Sequence, residues 1–217
     1  RSAKTHEHSE IESPLDFPFT DAQKAAHDAV RARLDSGKPG VFLLHGVTGS
    51  GKTEVYIQLI RGLLKEGRSS IVLVPEISLT PQTVNRFYSR FGDCVAVIHS
   101  RLSQGRRVEE WHRIQNGEAK VVVGARSALF SPAQKLGLIV IDEEHEGSYK
   151  QDETPRYHAR DVAKKRAELE GAVLILGSAT PSLEAYHASQ AGEIKYLSLP
   201  HRIEDRPLPI VEIVPPE

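Results

Sequence analysis

Read for apolar spacing alone, the chain alternates between short unbroken apolar runs and longer stretches in which apolar residues recur every three or four positions. The runs at 41–44, 71–74, 95–98, 120–123, 138–141 and 173–176 have the pattern of strands buried on both faces, and 194–199 supplies a last strand. Between them lie helical segments. One enters at Thr20 and runs to about Leu34, stopped by Gly37; Thr20 and Gln23 stand in capping-box spacing. A second carries the stripe Val55, Leu59, Ile60, Leu63, Leu64 and ends near Gly67. Thr80-Pro81 opens a third, which leads to Phe91, by placing proline at the first helical position, and Thr180-Pro181 repeats that signal. Val108, Trp111 and Ile114 share one face of a fourth helix, with the tryptophan read as core, and a basic helix covers about 159–170. Strands alternating with helices predict an α/β fold: a three-layer phosphate-loop NTPase domain with a mostly parallel central sheet.

Ligands of such sheets sit at the C-terminal ends of the strands, so the chemistry should follow the apolar runs. It does. Directly after 41–44 comes Gly46-Val47-Thr48-Gly49-Ser50-Gly51-Lys52-Thr53, which fits the phosphate-loop pattern at every fixed position. Glycines let backbone N–H groups turn inward on a phosphate, the next helix points its positive end at the same anion, Lys52 adds a charge, and the Thr53 hydroxyl is placed to ligate Mg²⁺. After 138–141 comes Asp142-Glu143-Glu144-His145, where Asp142 supplies the second acid such a loop needs to hold Mg²⁺ and Glu143 can orient or deprotonate a water.

Composition narrows the picture only slightly. The 217 residues are 39% hydrophobic and 26% charged, ordinary for a globular protein, and a net charge of −1 from 28 basic and 29 acidic residues gives no bulk electrostatic sign of a nucleic-acid partner. Cys94 is the single cysteine, so neither a disulfide framework nor a cysteine zinc site can form within the chain, which suits a reducing cytoplasm. No apolar run approaches the roughly 20 residues of a membrane span. The polar residues 1–16 read as a linker or frayed terminus, and 201–217, holding Pro207, Pro209, Pro215 and Pro216, as an extended connector with a short strand possible at 210–214. With no methionine at its start or anywhere else, the chain reads as a piece of a larger protein.

The motif order resembles that of superfamily 2 DExH helicases. Gly177-Ser178-Ala179-Thr180 looks like their Ser-Ala-Thr motif, and Val74-Pro75-Glu76-Ile77-Ser78-Leu79-Thr80 like the loop and helix start that hold strand phosphates. Gly124-Ala125-Arg126-Ser127-Ala128-Leu129-Phe130 looks like a further backbone-gripping motif. Extended through Glu54-Val55-Tyr56, Pro81-Gln82, Ser148-Tyr149-Lys150-Gln151 and Arg156-Tyr157-His158-Ala159-Arg160-Asp161, the pattern is similar to the PriA family of primosomal replication-restart helicases over about 17–200.

That resemblance implies ATP and Mg²⁺ as cofactors and forked and single-stranded DNA as partners, together with primosome and other replication-restart proteins and single-stranded DNA-binding protein. It implies adenine reading by Gln23 with Phe17 beside it, a role compatible with capping. Lys52, Asp142 and Glu143 would be catalytic, and His145, Ser178, Ala179 and Thr180 would couple hydrolysis to movement. Pro75, Glu76, Thr80, Gln82, Arg126 and Ser127 would meet DNA, along with an aromatic-rich loop offering Tyr149, Lys150, Arg156, Tyr157 and Arg160. Arg101, Arg106 and Arg107 are a further candidate path or simply a solvated face. A second lobe supplying an arginine to the γ-phosphate, a zinc module and flanking domains would lie outside this chain. Two alternatives stay open: another superfamily 2 motor, such as an RNA helicase or a restriction-type DNA translocase, and a binding module switched by nucleotide.

Overall fold

A computed structural model describes residues 18–203, so Phe17, the proposed leader and most of the proline-rich connector lie outside the described residues. Seven strands form one sheet: β1 (Gly40–Gly46), β2 (Ser69–Leu73), β3 (Val95–Ile98), β4 (Val121–Gly124), β5 (Leu136–Asp142), β8 (Val173–Ser178) and β9 (Lys195–Leu199), in the order β3-β4-β2-β5-β8-β1-β9. Every neighbouring pair is parallel. A separate antiparallel pair of two-residue strands, β6 (Lys150–Gln151) and β7 (Tyr157–His158), makes a small hairpin that apolar spacing is too coarse to foresee.

The continuous apolar runs are strands because both faces are covered, and side-chain alternation sends successive residues to opposite layers. Val72, Val123, Val140 and Ile175 pack on one face with α1 (Asp21–Asp35), α2 (Lys52–Lys65) and α3 (Pro81–Phe91), through Val30, Leu59, Leu63 and Phe87. Ile71, Leu73, Ile139 and Leu174 face the other layer, covered by α4 (Gln104–Gln115), α5 (Ala159–Glu170) and α6 (Leu183–Gln190). The basic helix α5 meets the sheet through the buried Ala159, Ala163 and Ala167, an i,i+4 stripe of methyls that lets it lie close, with Val162 packed beside them.

The capping box at α1 forms as its spacing predicts. Gln23 N–H donates to Thr20 Oγ1 at 3.2 Å, and Thr20 N–H to Gln23 Oε1 at 2.9 Å. Two expectations need correction. Trp111 is 38% exposed, and Val108 is half-exposed, so only Ile114 of that stripe reaches the core; α4 covers the edge strand β3, where little sheet is left to bury its outer turns. The second Thr-Pro signal also misplaces its helix. α6 starts at Leu183 with Ser182 as N-cap, because Ser182 is held by a buried carboxylate described below.

Candidate nucleotide and nucleic-acid site

The phosphate loop leaves β1 at Gly46 and enters α2 at Lys52, and two of its residues require glycine. Gly49 and Gly51 have φ of 82° and 79°, in the left-handed region. The N-cap of α2 is Gly51, with no side chain to receive the first helical N–H groups, so this end presents bare donors, as anion sites do. The Ser50 hydroxyl is buried without a hydrogen-bond partner. Lys52, only 8% exposed, donates from Nζ to Gly46 O at 2.9 Å and lies 3.7 Å from Glu143 Oε1. Loop, acids and Thr53 line one cavity of about 920 Å³.

The acids stand at the end of β5, two strands from β1, with β8 between them. Burial, then the neighbouring Glu143 charge, pushes the Asp142 carboxyl up to about 6, against the pull of Lys52. A cation would reverse that push. The donor set therefore fits Mg²⁺: a buried carboxylate and the hydroxyl-bearing Thr53 in the phosphate cavity, both oxygen ligands. Tyr56 OH donates to Asp142 Oδ1 at 3.2 Å, and Tyr149 OH to the Asp142 carbonyl at 2.6 Å. Glu143 has φ of 48°, a strained value for a non-glycine residue, which turns its carboxylate toward Lys52. His145 Nδ1 lies 2.7 Å from Ser178 Oγ, and its Nε2 is 3.5 Å from Thr180 Oγ1, so acid loop and Ser-Ala-Thr segment are in direct contact.

Gln23 is buried with both ends of its amide engaged: Oε1 caps α1, while Nε2 reaches Ser50 O at 3.2 Å and Gly51 O at 3.4 Å. It grips the phosphate loop from the side and still lines the cavity. Beside it, Ile203 N–H donates to Gly49 O at 3.1 Å, and the Ile203 side chain rests over Gly51. The spacing rules gave no sign of Ile203, nor of Arg86 and Arg90, which line the same cavity from α3.

The residues read as DNA-facing gather at the ends of β2 and β4 and in the loop after β5. Glu76, Thr80 and Gln82 are exposed after β2, with Thr80 capping α3, while Pro75 is buried. Ser127 is exposed in the 3₁₀ turn Arg126–Phe130. Arg126 donates to the Ser148 and Lys150 carbonyls and to Gln151 Oε1, and stacks its guanidinium 5.5 Å from the Tyr157 ring. Tyr157 in turn meets Phe130 edge-to-face at 5.4 Å. Lys150 and Arg156 are exposed beside them.

Besides the buried Pro75, two residues leave that set. Tyr149 is 1% exposed, its ring in the core and its hydroxyl on Asp142, so it offers no face to a base. Arg160 is committed inward: Nη1 lies 3.3 Å from the fully buried Glu144 carboxylate and 2.8 Å from Ser182 Oγ. Glu144, to which sequence reading gave no role, also accepts from Ser182 N–H at 2.7 Å and Ser182 Oγ at 3.0 Å, and so fixes the start of α6.

The chain is similar to known proteins. A family model described as type III restriction enzyme, res subunit, matches residues 16–183. The replication restart protein PriA of Bacillus subtilis (strain 168) is 58% identical over 198 residues, 91% of this chain and 25% of that protein. PriA of Synechocystis sp. is 55% identical over 177 residues, 79% of this chain and 21% of that protein. The structure of RecG bound to a three-way DNA junction matches with a TM-score of 0.63 at 25% identity, over 90% of this chain and 25% of that one. The chain thus spans about a quarter of the length of these curated relatives. It belongs to the family of the type III restriction enzyme res subunit and, within it, is similar to the replication restart proteins PriA.

Proposed function

We propose that this chain is the ATP-binding lobe of an ATP-dependent 3′ to 5′ DNA helicase that acts at stalled or abandoned replication forks, in the cytoplasm, alongside primosome proteins and single-stranded DNA-binding protein. The observation that carries the reading is the meeting, in one cavity, of Lys52 Nζ and Glu143 Oε1 at 3.7 Å beneath an uncapped glycine loop. The loop's N–H groups and Lys52 neutralise phosphate charge, the orphaned Ser50 hydroxyl gains a partner, and Gln23 and the rim near Ile203 border the base. Thr53 and Asp142 would hold Mg²⁺, which supplies charge neutralisation on the phosphates. Glu143 takes the proton of the attacking water, and the His145–Ser178–Thr180 contact relays the state of that loop to the strand-end surface.

On that surface Thr80, Gln82 and Ser127 hold DNA phosphates beside Glu76, whose carboxylate accepts from the Ser100 hydroxyl, while Tyr157 with Arg126, Lys150 and Arg156 provides a stacking and charge platform at the hairpin. The structural neighbour RecG is bound to a three-way DNA junction, which favours DNA over RNA. Residues 17–200 are proposed as one RecA-like lobe between a leader and a connector to a second lobe. The test is ATP turnover by the complete protein with no nucleic acid, single-stranded DNA, forked DNA and RNA. Forked DNA should stimulate most, and Lys52→Ala should abolish turnover while fork binding persists. Stronger stimulation by RNA, or retained turnover in the variant, would overturn the reading.

A further inference from the structure

Tyr56 lies one helical turn beyond Lys52 on α2, so the two side chains project from the same face of the helix onto the same pair of acids. Lys52 reaches Glu143, and Tyr56 reaches Asp142 Oδ1. Tyr56 is 1% exposed, in a core otherwise filled mainly by aliphatic side chains. A hydroxyl buried there costs stability unless it is bonded, and a phenylalanine would fill the same space, so packing alone does not explain the oxygen.

The third strand of the site makes room for it. A Cβ on Gly177, at the end of β8, would fall 1.8 Å from Tyr56 OH, 3.1 Å from its Cζ and 3.2 Å from Asp142 Oδ1. Gly177 has an ordinary backbone conformation, since it is absent from the glycines with positive φ, so the constraint on it is space. Three elements are thus cut to fit one hydrogen bond: α2 brings the phenol, β5 the carboxylate, and β8 leaves out a side chain between them.

We propose that Tyr56 is a positioning residue for the acid that holds the nucleotide's divalent cation, fixing Oδ1 of Asp142 so that its other oxygen faces the cavity, and that glycine at 177 exists to admit the phenol. This rests on the reading of Asp142 given above. Groups that orient a metal-holding carboxylate typically change cation affinity by about tenfold or more when removed.

The test measures binding of a fluorescent ATP analogue to the chain as Mg²⁺ is titrated, with binding in EDTA as the reference. Tyr56→Phe should raise the half-saturating Mg²⁺ concentration about tenfold and leave affinity in EDTA unchanged, which a loss of packing alone would not do. Gly177→Ala should act in the same direction by displacing the phenol. Tyr56→Phe/Gly177→Ala should be no worse in Mg²⁺ dependence than Tyr56→Phe alone, because both variants break one hydrogen bond. Asp142→Asn is the control for the parent reading and should weaken Mg²⁺ dependence at least as much. A wild-type Mg²⁺ requirement in Tyr56→Phe beside a weakened Asp142→Asn overturns the role of Tyr56 only. Additive effects of the two substitutions overturn it as well. An Asp142→Asn chain with unaltered Mg²⁺ dependence overturns the assignment of Asp142 and this inference together.

Discussion

Asp142 concentrates the electrostatic tension of the molecule. Its carboxyl titrates near 6 because burial and Glu143 both disfavour its charge, with Lys52 compensating only in part. An aspartate whose native pKa is raised keeps its proton in the fold through a window where the unfolded chain has released it. Its contribution to stability is therefore intact below the ordinary value of 3.8 and is lost as pH rises toward 6. Thermal melts in EDTA should show the wild-type chain losing on the order of 2 kcal/mol relative to Asp142→Asn between about pH 4 and pH 7. A difference that stays constant across that range would show that Asp142 titrates normally. The pair of acids was legible in the sequence because they follow an apolar strand and a phosphate loop precedes them. The two tyrosines on Asp142 were not, since Tyr56 looks like one more member of an apolar stripe and Tyr149 like a loop aromatic beside cations. Sequence position says that an aromatic is near a site but not which way its ring points.

At the scale of elements, strands were easier to read than helix starts. A strand buried on both faces shows itself as an unbroken apolar run, and β2, β3, β4, β5 and β8 all did so. The same signal, Thr followed by Pro, correctly places α3 and misplaces α6 by two residues. The difference lies in Glu144: its carboxylate binds both the N–H and the hydroxyl of Ser182, and a buried charge needs those partners more than Thr180 needs to cap a helix. Ser182→Ala should therefore cost about 2 kcal/mol in denaturant unfolding, combining a lost cap with a lost partner for a buried charge. Thr180→Ala should cost less than about 0.5 kcal/mol, as an exposed loop substitution does. Equal costs would mean that helix α6 is capped from Thr180 after all. The hairpin β6–β7 escaped the sequence for another reason. Two-residue strands carry no periodicity, and this pair is held by Arg126 from a different element.

Across the whole molecule, the strand ends divide into two neighbourhoods along one edge. The loops that leave β1 and β5 line the proposed nucleotide cavity, while β2, β4 and the hairpin carry the proposed DNA surface. Glu143 and His145 stand at the boundary, which on the function proposed above would give the ATP state a short path to the strand. A second lobe is proposed to place its arginine against the γ-phosphate. The isolated chain is accordingly expected to bind Mg-nucleotide but to hydrolyse it about 10³-fold or more slowly than the complete protein. Turnover by the isolated chain that matches the complete protein and responds to DNA would show that the site needs no second lobe.

The place of β8 has a geometric consequence. Neighbouring strands in a sheet lie about 4.8 Å apart, so one intervening strand holds the main chains of β1 and β5 roughly 10 Å from each other. That gap is a gauge set by main-chain hydrogen bonds, and no side-chain substitution can widen or narrow it. Side chains then close that distance, as the 3.7 Å from Lys52 Nζ to Glu143 Oε1 shows, but the spacing they start from is fixed by counting strands.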